Sequence, residues 1–131
     1  MIVETSASVA ILLQEPDHAI SSGANGSDPG CQIGAPNWLE TIMAIEGRGD
    51  REAAIEVARL IGEGWIRVVD FETTHAAVAA HALRTYDKGR HPAALNFGDG
   101  MAHAVARLAG APLLCKGDDF ARTGIVSALA A

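Results

Sequence analysis

The chain has 131 residues, 49% of them hydrophobic and 20% charged, with a formal net charge of −6. Such a composition excludes a disordered chain and fits a single domain, 1–131, with one substantial core. The acidic balance argues against holding nucleic acid by bulk charge, which needs many Lys and Arg, but leaves room for a nuclease whose positive charge comes from a metal ion.

Met1 to Val3 read as a short buried strand. Thr5 or Ser6 then caps a helix over Ala7 to Gln14, with Val9, Leu12 and Leu13 toward the core, and Pro16 stops it. The opening MIVETSASVAILLQEP has no basic n-region, so no secretory signal is expected. No apolar run reaches the ~20 residues a bilayer span needs. Cys31 and Cys115 are too few for a disulfide framework and match no zinc spacing. A cytoplasmic protein with no membrane association is the expectation.

Residues 21 to 34, SSGANGSDPGCQIG, predict a loop or poorly ordered segment. Pro36 suits the first turn of a second helix, in which Leu39, Ile42, Met43 and Glu46 follow helical spacing with Glu40 to one side. The GRGD turn ends it at Gly47, and Asp50 caps a third helix to about Ile61. Trp65 to Val69 read as a strand. Thr73 or Thr74 opens a helix to about Tyr86. A basic loop with Lys88, Arg90 and His91 follows. Asn96 caps a helix from Phe97 to Ala109, closed by Gly110 and Pro112. Leu113 to Cys115 form a short buried strand, Asp118–Asp119 a turn, and Ile125 to Ser127 a last edge strand. Strands alternating with helices predict an α/β fold with a parallel sheet.

Acidic side chains recur at matching places in this pattern. Glu4 and Asp118–Asp119 follow strand ends, where sites form in open parallel sheets. Glu40 and Asp99 stand early in helices. If the fold gathers them, the pocket of like charge calls for a divalent cation. Each also has a structural role open to it: Asp99 as a helix first-turn acid behind Asn96, Glu40 as a solvated helix residue, Asp118 and Asp119 as turn formers. His103, four residues after Asp99, reads as a packed or exposed histidine, and Cys115 as core. Lys88, Arg90, His91, Lys116 and Arg122 are candidates for a basic rim that meets RNA phosphates.

Three segments carry a family resemblance over nearly the whole chain. MIVETSASVAILLQEP resembles the first strand and helix of PIN-domain ribonucleases, and APNWLETIMAIEGRGD their second acidic motif. HPAALNFGDGMAHAVARLAGAPLLCKGDDFARTGI is similar to the C-terminal half of the VapC toxins of VapBC toxin–antitoxin pairs. The resemblance implies a three-layer α/β/α sandwich around a four- to five-stranded, mainly parallel sheet. It implies a Mg²⁺- or Mn²⁺-dependent endoribonuclease acting on RNA of the tRNA or rRNA class, a toxin homodimer, and a VapB-type antitoxin. Carried over, the catalytic acids are Glu4, Glu40, Asp99 and Asp119, with Asp118 as an adjacent metal candidate. Asp99 and Glu4 are the expected direct ligands, and Thr5, Ser6 and Asn96 support the site by hydrogen bonds. One departure matters for chemistry: the first acid of the family is usually aspartate, and here it is Glu4. A weakened or inactive PIN domain that only binds an antitoxin is the alternative.

Overall fold

The computed structural model describes residues 1–13, 30–64, 66–86 and 95–115. The elements run β1 (Ile2–Val3), α1 (Thr5–Leu13), β2 (Gln32–Gly34), α2 (Ala35–Gly47), α3 (Arg51–Gly62), β3 (Arg67–Val69), α4 (Thr73–Tyr86), α5 (Phe97–Ala109) and β4 (Leu113–Leu114). The strands form one sheet in the order β3-β2-β1-β4, and every pairing is parallel. Ile2 stands opposite Gln32 on one side and Leu113 on the other, so β1 is interior.

Side chains alternate across a strand, and β1 uses both faces. Val3 joins a core with Ala7, Leu12, Ile33, Ile45 and Leu60, contributed by α1, α2, α3 and β2. Ile2 joins the opposite core with Ala102, Val105, Ala106 and Leu113, against which Leu83 and Tyr86 of α4 pack. The sheet is thus covered on both faces, the α/β/α sandwich expected of short apolar parallel strands.

Caps fall where the sequence signals them. The Asp50 side chain accepts from the Ala53 N–H at the start of α3, and Asn96 caps α5. Gly110 ends α5 in the left-handed region at φ 61°, which glycine adopts without a Cβ penalty.

Three expectations change. Gln32–Gly34 is a strand, not loop: Ile33 is fully buried between the sheet and its helices, and tertiary pairing overrides the Gly/Ser-rich composition around it. Gly34 has its own reason, because a Cβ there would lie 2.8 Å from Val105 Cγ2 on α5. The apolar stripe of α2 does not face the core either. Leu39 and Met43 are 59% and 54% exposed, while Asn37, Thr41 and Ile45 are buried. Polar residues win the inner face because hydrogen-bond partners wait there. Last, the first helix begins at Thr5, so neither Thr5 nor Ser6 is its cap. Gln14, Trp65 and the expected strand at 125–127 lie outside the described residues.

Candidate active site

β1 passes into α1 with a single residue between them, and that residue is Glu4. Its backbone N–H donates to Leu114 O at 2.8 Å, continuing the β1–β4 pairing, and its carbonyl accepts from Ala7 N and Ser8 N at 3.1 Å each. Glu4 is therefore the cap of α1. Its carboxylate folds back so that Oε2 accepts the Ser6 N–H at 2.8 Å and also the Ser6 hydroxyl. The extra methylene of glutamate is taken up in this turn, and satisfying a first-turn N–H is what a capping oxygen does.

Thr5 reaches away from Glu4, toward α2. Its Oγ1 donates to Glu40 Oε1 at 2.8 Å. Asn37, one turn before Glu40, is 1% exposed. Its Nδ2 lies 3.1 Å from Glu40 Oε1, 3.0 Å from Thr5 Oγ1 and 3.2 Å from Gly98 O. One amide thus joins α1, α2 and α5. Its Oδ1 is buried without a hydrogen bond among the described residues; turning the amide over would aim that oxygen at the Glu40 carboxylate and the Gly98 carbonyl. Below this layer Thr41 Oγ1 donates to Asn37 O at 2.8 Å and lies 2.6 Å from Ser8 Oγ.

At the head of α5, Asn96 and Asp99 form a reciprocal capping box. Asn96 N donates to Asp99 Oδ2 at 3.0 Å and Asp99 N to Asn96 Oδ1 at 2.9 Å. Asp99 is 6% exposed.

Glu4, Glu40 and Asp99 therefore meet at one edge, from the end of β1, the first half of α2 and the first turn of α5. Burial raises the Glu4 carboxyl from 4.5 to about 7; the two Ser6 hydrogen bonds pull it down, and the charges of Asp99 and Glu40 push it up. Glu4 thus feels the charge of both other acids. Among the described residues no three His, Cys, Asp or Glu side chains are gathered tightly enough to chelate an ion; each carboxylate is tied to its own hydroxyl, amide or N–H partner.

Thr5, Ser6 and Asn96 each hold one of these acids: Glu40, Glu4 and Asp99 respectively. Asp118, Asp119, Lys88, Arg90, His91, Lys116 and Arg122 lie outside the described residues. Sequence reasoning missed Asn37 and Gly98. The signal for Asn37 was its i,i+3 spacing to Glu40, which puts both on one helix face. His103, one turn beyond Asp99, is buried against Tyr86 with ring centroids 5.9 Å apart. It lines, with Tyr86, His81, Val78, Ala77 and Arg107, a cavity of about 290 Å³ between α4 and α5. None of the three carboxylates lines that cavity.

The PIN domain family matches residues 1–126. This chain belongs to the PIN-domain family. It is 37% identical over 127 residues to a Ribonuclease VapC of Mycolicibacterium smegmatis, covering 97% of this chain and 98% of that protein. It is 40% identical over 126 residues to Ribonuclease VapC42 of Mycobacterium tuberculosis, covering 95% and 96%. These identities place the chain in the VapC ribonuclease branch of the PIN domains. Among solved structures, Mycobacterium tuberculosis VapC20, a sarcin–ricin loop cleaving toxin, superposes with a TM-score of 0.78 at 22% identity, over 95% of each chain. A toxin–antitoxin complex from Klebsiella pneumoniae gives 0.72 at 15%, over 98% of this chain and 97% of that one. Both solved structures share the fold of this chain.

Proposed function

We propose that this PIN domain is a metal-dependent endoribonuclease, the toxin of a VapBC-type pair, and that Glu4, Glu40 and Asp99 form its catalytic edge together with Asp119, Asp118 standing beside it. The observation that carries this reading is the convergence of the three acids: Glu40 is bonded to Thr5, next to the buried Glu4, and lies against Gly98, next to the buried Asp99. An all-oxygen, all-acidic donor set suits a hard divalent ion, Mg²⁺ or Mn²⁺, and disfavours softer metals. Mg²⁺ keeps most of its waters and uses one or two carboxylates directly, so three loosely grouped acids fit it without a tight chelate. When bound, such an ion lowers the pKa of a water and offsets charge on the scissile phosphate.

The protein's own residues prepare the edge. Asp99 is fixed by the first turn of α5, Glu40 by Thr5 and Asn37, and Glu4 by Ser6. A carboxylate that accepts on one oxygen keeps its rotamer while the other oxygen faces a ligand, and none of the side chains has to be ordered at the moment of binding. Glu4 supplies an acid in place of the usual aspartate with its extra methylene folded back. Glutamate still sets its carboxylate differently, and a misplacement of about 1 Å costs on the order of 100-fold in rate. Slow cleavage, accelerated in Glu4→Asp, is the expectation.

Family membership supports the remaining assignments: RNA of the tRNA or rRNA class as substrate, a homodimer, a VapB-type antitoxin as partner, and the basic residues Lys88, Arg90, His91, Lys116 and Arg122 as phosphate contacts. The test is cleavage of structured RNA by the purified chain with Mn²⁺, repeated with chelator and with Asp99→Asn. Products with 5′-phosphate and 3′-hydroxyl ends, lost in both controls, support the reading. Intact RNA in every tube, with antitoxin still bound, overturns it.

A further inference from the structure

α5 opens with glycine at its second position, Gly98. Glycine is a poor helix former, and nothing in the backbone requires it. Among the described glycines only Gly49, Gly64 and Gly110 have positive φ. Space requires it instead. A Cβ on Gly98 would lie 2.7 Å from Glu40 Cδ and closer still to both carboxylate oxygens, whereas real Cβ atoms essentially never come within 3.0 Å of another heavy atom. The Glu40 carboxylate fills the space that a Cβ on Gly98 would need.

It cannot slide away without cost. Retreat from Gly98 breaks the bonds from Thr5 Oγ1 and Asn37 Nδ2. Asn37 is itself bound to the Gly98 carbonyl. Residue 98 therefore does two things at once: its missing side chain makes the seat for the carboxylate, and its carbonyl anchors the amide that holds the carboxylate there.

We propose that Gly98 is a positioning residue for Glu40, with Asn37 as the clamp, so that the α2 acid is set by an absent side chain on α5. The activity arm of this inference rests on the nuclease reading above; the geometric arm does not. The obstructing atoms are the far end of one side chain, so a methyl at 98 displaces the carboxylate and leaves the helix in place.

The experiment is a double-mutant cycle between positions 98 and 40, read in two ways. Gly98→Ala keeps the fold, with a cooperative melt lowered by roughly ten degrees at most, and loses Mn²⁺-dependent RNA cleavage roughly 100-fold. Glu40→Asp withdraws the carboxylate by one carbon–carbon bond, about 1.5 Å. It lowers cleavage when residue 98 is glycine and raises it when residue 98 is alanine, a reversal of sign that a purely structural role for Gly98 does not give. Independently of activity, the Asn37 side-chain NH₂ resonances shift in Gly98→Ala, and the size of that shift depends on whether residue 40 is Glu or Asp. Cleavage by Gly98→Ala within about twofold of the parent overturns the proposal. So does a loss that Glu40→Asp deepens in the alanine background. If the parent cuts no RNA, the nuclease reading fails and the Asn37 resonances decide this one: a Gly98→Ala shift that is the same with Glu or Asp at residue 40 overturns it, and a shift that depends on residue 40 supports it.

Discussion

Thr5 Oγ1 donates a 2.8 Å hydrogen bond to Glu40 Oε1 across 35 residues of sequence. This bond couples the start of α1 to the first half of α2 and leaves Glu4, the preceding residue, to turn the other way onto Ser6. Two adjacent residues thus serve two different acids. Thr5→Val keeps the shape and removes the donor. We expect it to lower RNA cleavage while the unfolding free energy falls by about 0.5–1.5 kcal/mol, the usual net worth of one hydrogen bond. Parallel kinetics and urea unfolding check this, and unchanged cleavage would show that Glu40 does not need Thr5.

Asn37 is the more costly loss. Replacing it with Leu fills a similar space but leaves Glu40 Oε1, Thr5 Oγ1 and the Gly98 carbonyl without their shared donor. Buried groups stripped of a partner cost about 1–3 kcal/mol. The midpoint in urea should drop with an unchanged m-value. Asn37→Asp should be worse, since it sets a second carboxylate against Glu40.

The pH dependence of stability has a definite sign. Glu4 titrates at 4.5 unfolded and at about 7 folded, so between these values the folded state binds more protons. Its contribution is fully present below pH 4.5, declines from there, and is gone once the pH has risen through about 7. A difference of that size corresponds to at most about 3 kcal/mol. Without metal, the parent should lose stability relative to Glu4→Gln as the pH rises from 4.5 to 7. Denaturant titrations of both proteins across that window test it, and parallel curves refute it.

Metal should reverse this loss by taking the place of the proton. Because the Glu4 carboxyl sits at about 7, Mn²⁺ binding at neutral pH should release roughly half a proton from it. Calorimetry in two buffers of different ionisation enthalpy measures that number. Chelator should lower the melting temperature more at pH 8 than at pH 5.5, and Asp99→Asn should abolish both effects.

Packing of α5 on the sheet gives an independent check of the fold. Gly34→Ala drives a methyl into Val105 Cγ2 and should cost about 1–3 kcal/mol. Gly62→Ala, with nothing near its Cβ position, should be neutral or stabilising by up to about 0.5 kcal/mol. The thermal melt should fall for Gly34→Ala and hold or rise for Gly62→Ala.

Much of this protein was determined by its sequence alone. Short apolar strands alternating with capped helices specify a parallel sheet covered on both faces, because period and caps are local properties. Asp50, Asn96 and Gly110 mark helix ends for the same reason. The motifs around Glu4, Glu40 and Asp99 name the acids. What only the tertiary structure decided is how those acids are held. Leu39 and Met43 look like the inner stripe of α2, yet Asn37 and Thr41 are buried in their place, since the Thr5, Ser8 and Gly98 partners that satisfy them come from distant parts of the chain. The same holds for Gln32–Gly34, whose strand exists through its neighbours β1 and β3, and for Glu4, which caps α1 because the fold leaves one residue between strand and helix. Gly98 makes the point most directly. In sequence it is a weak helix residue; in space it is where the Glu40 carboxylate lies, and a close approach between two elements is written in no local pattern.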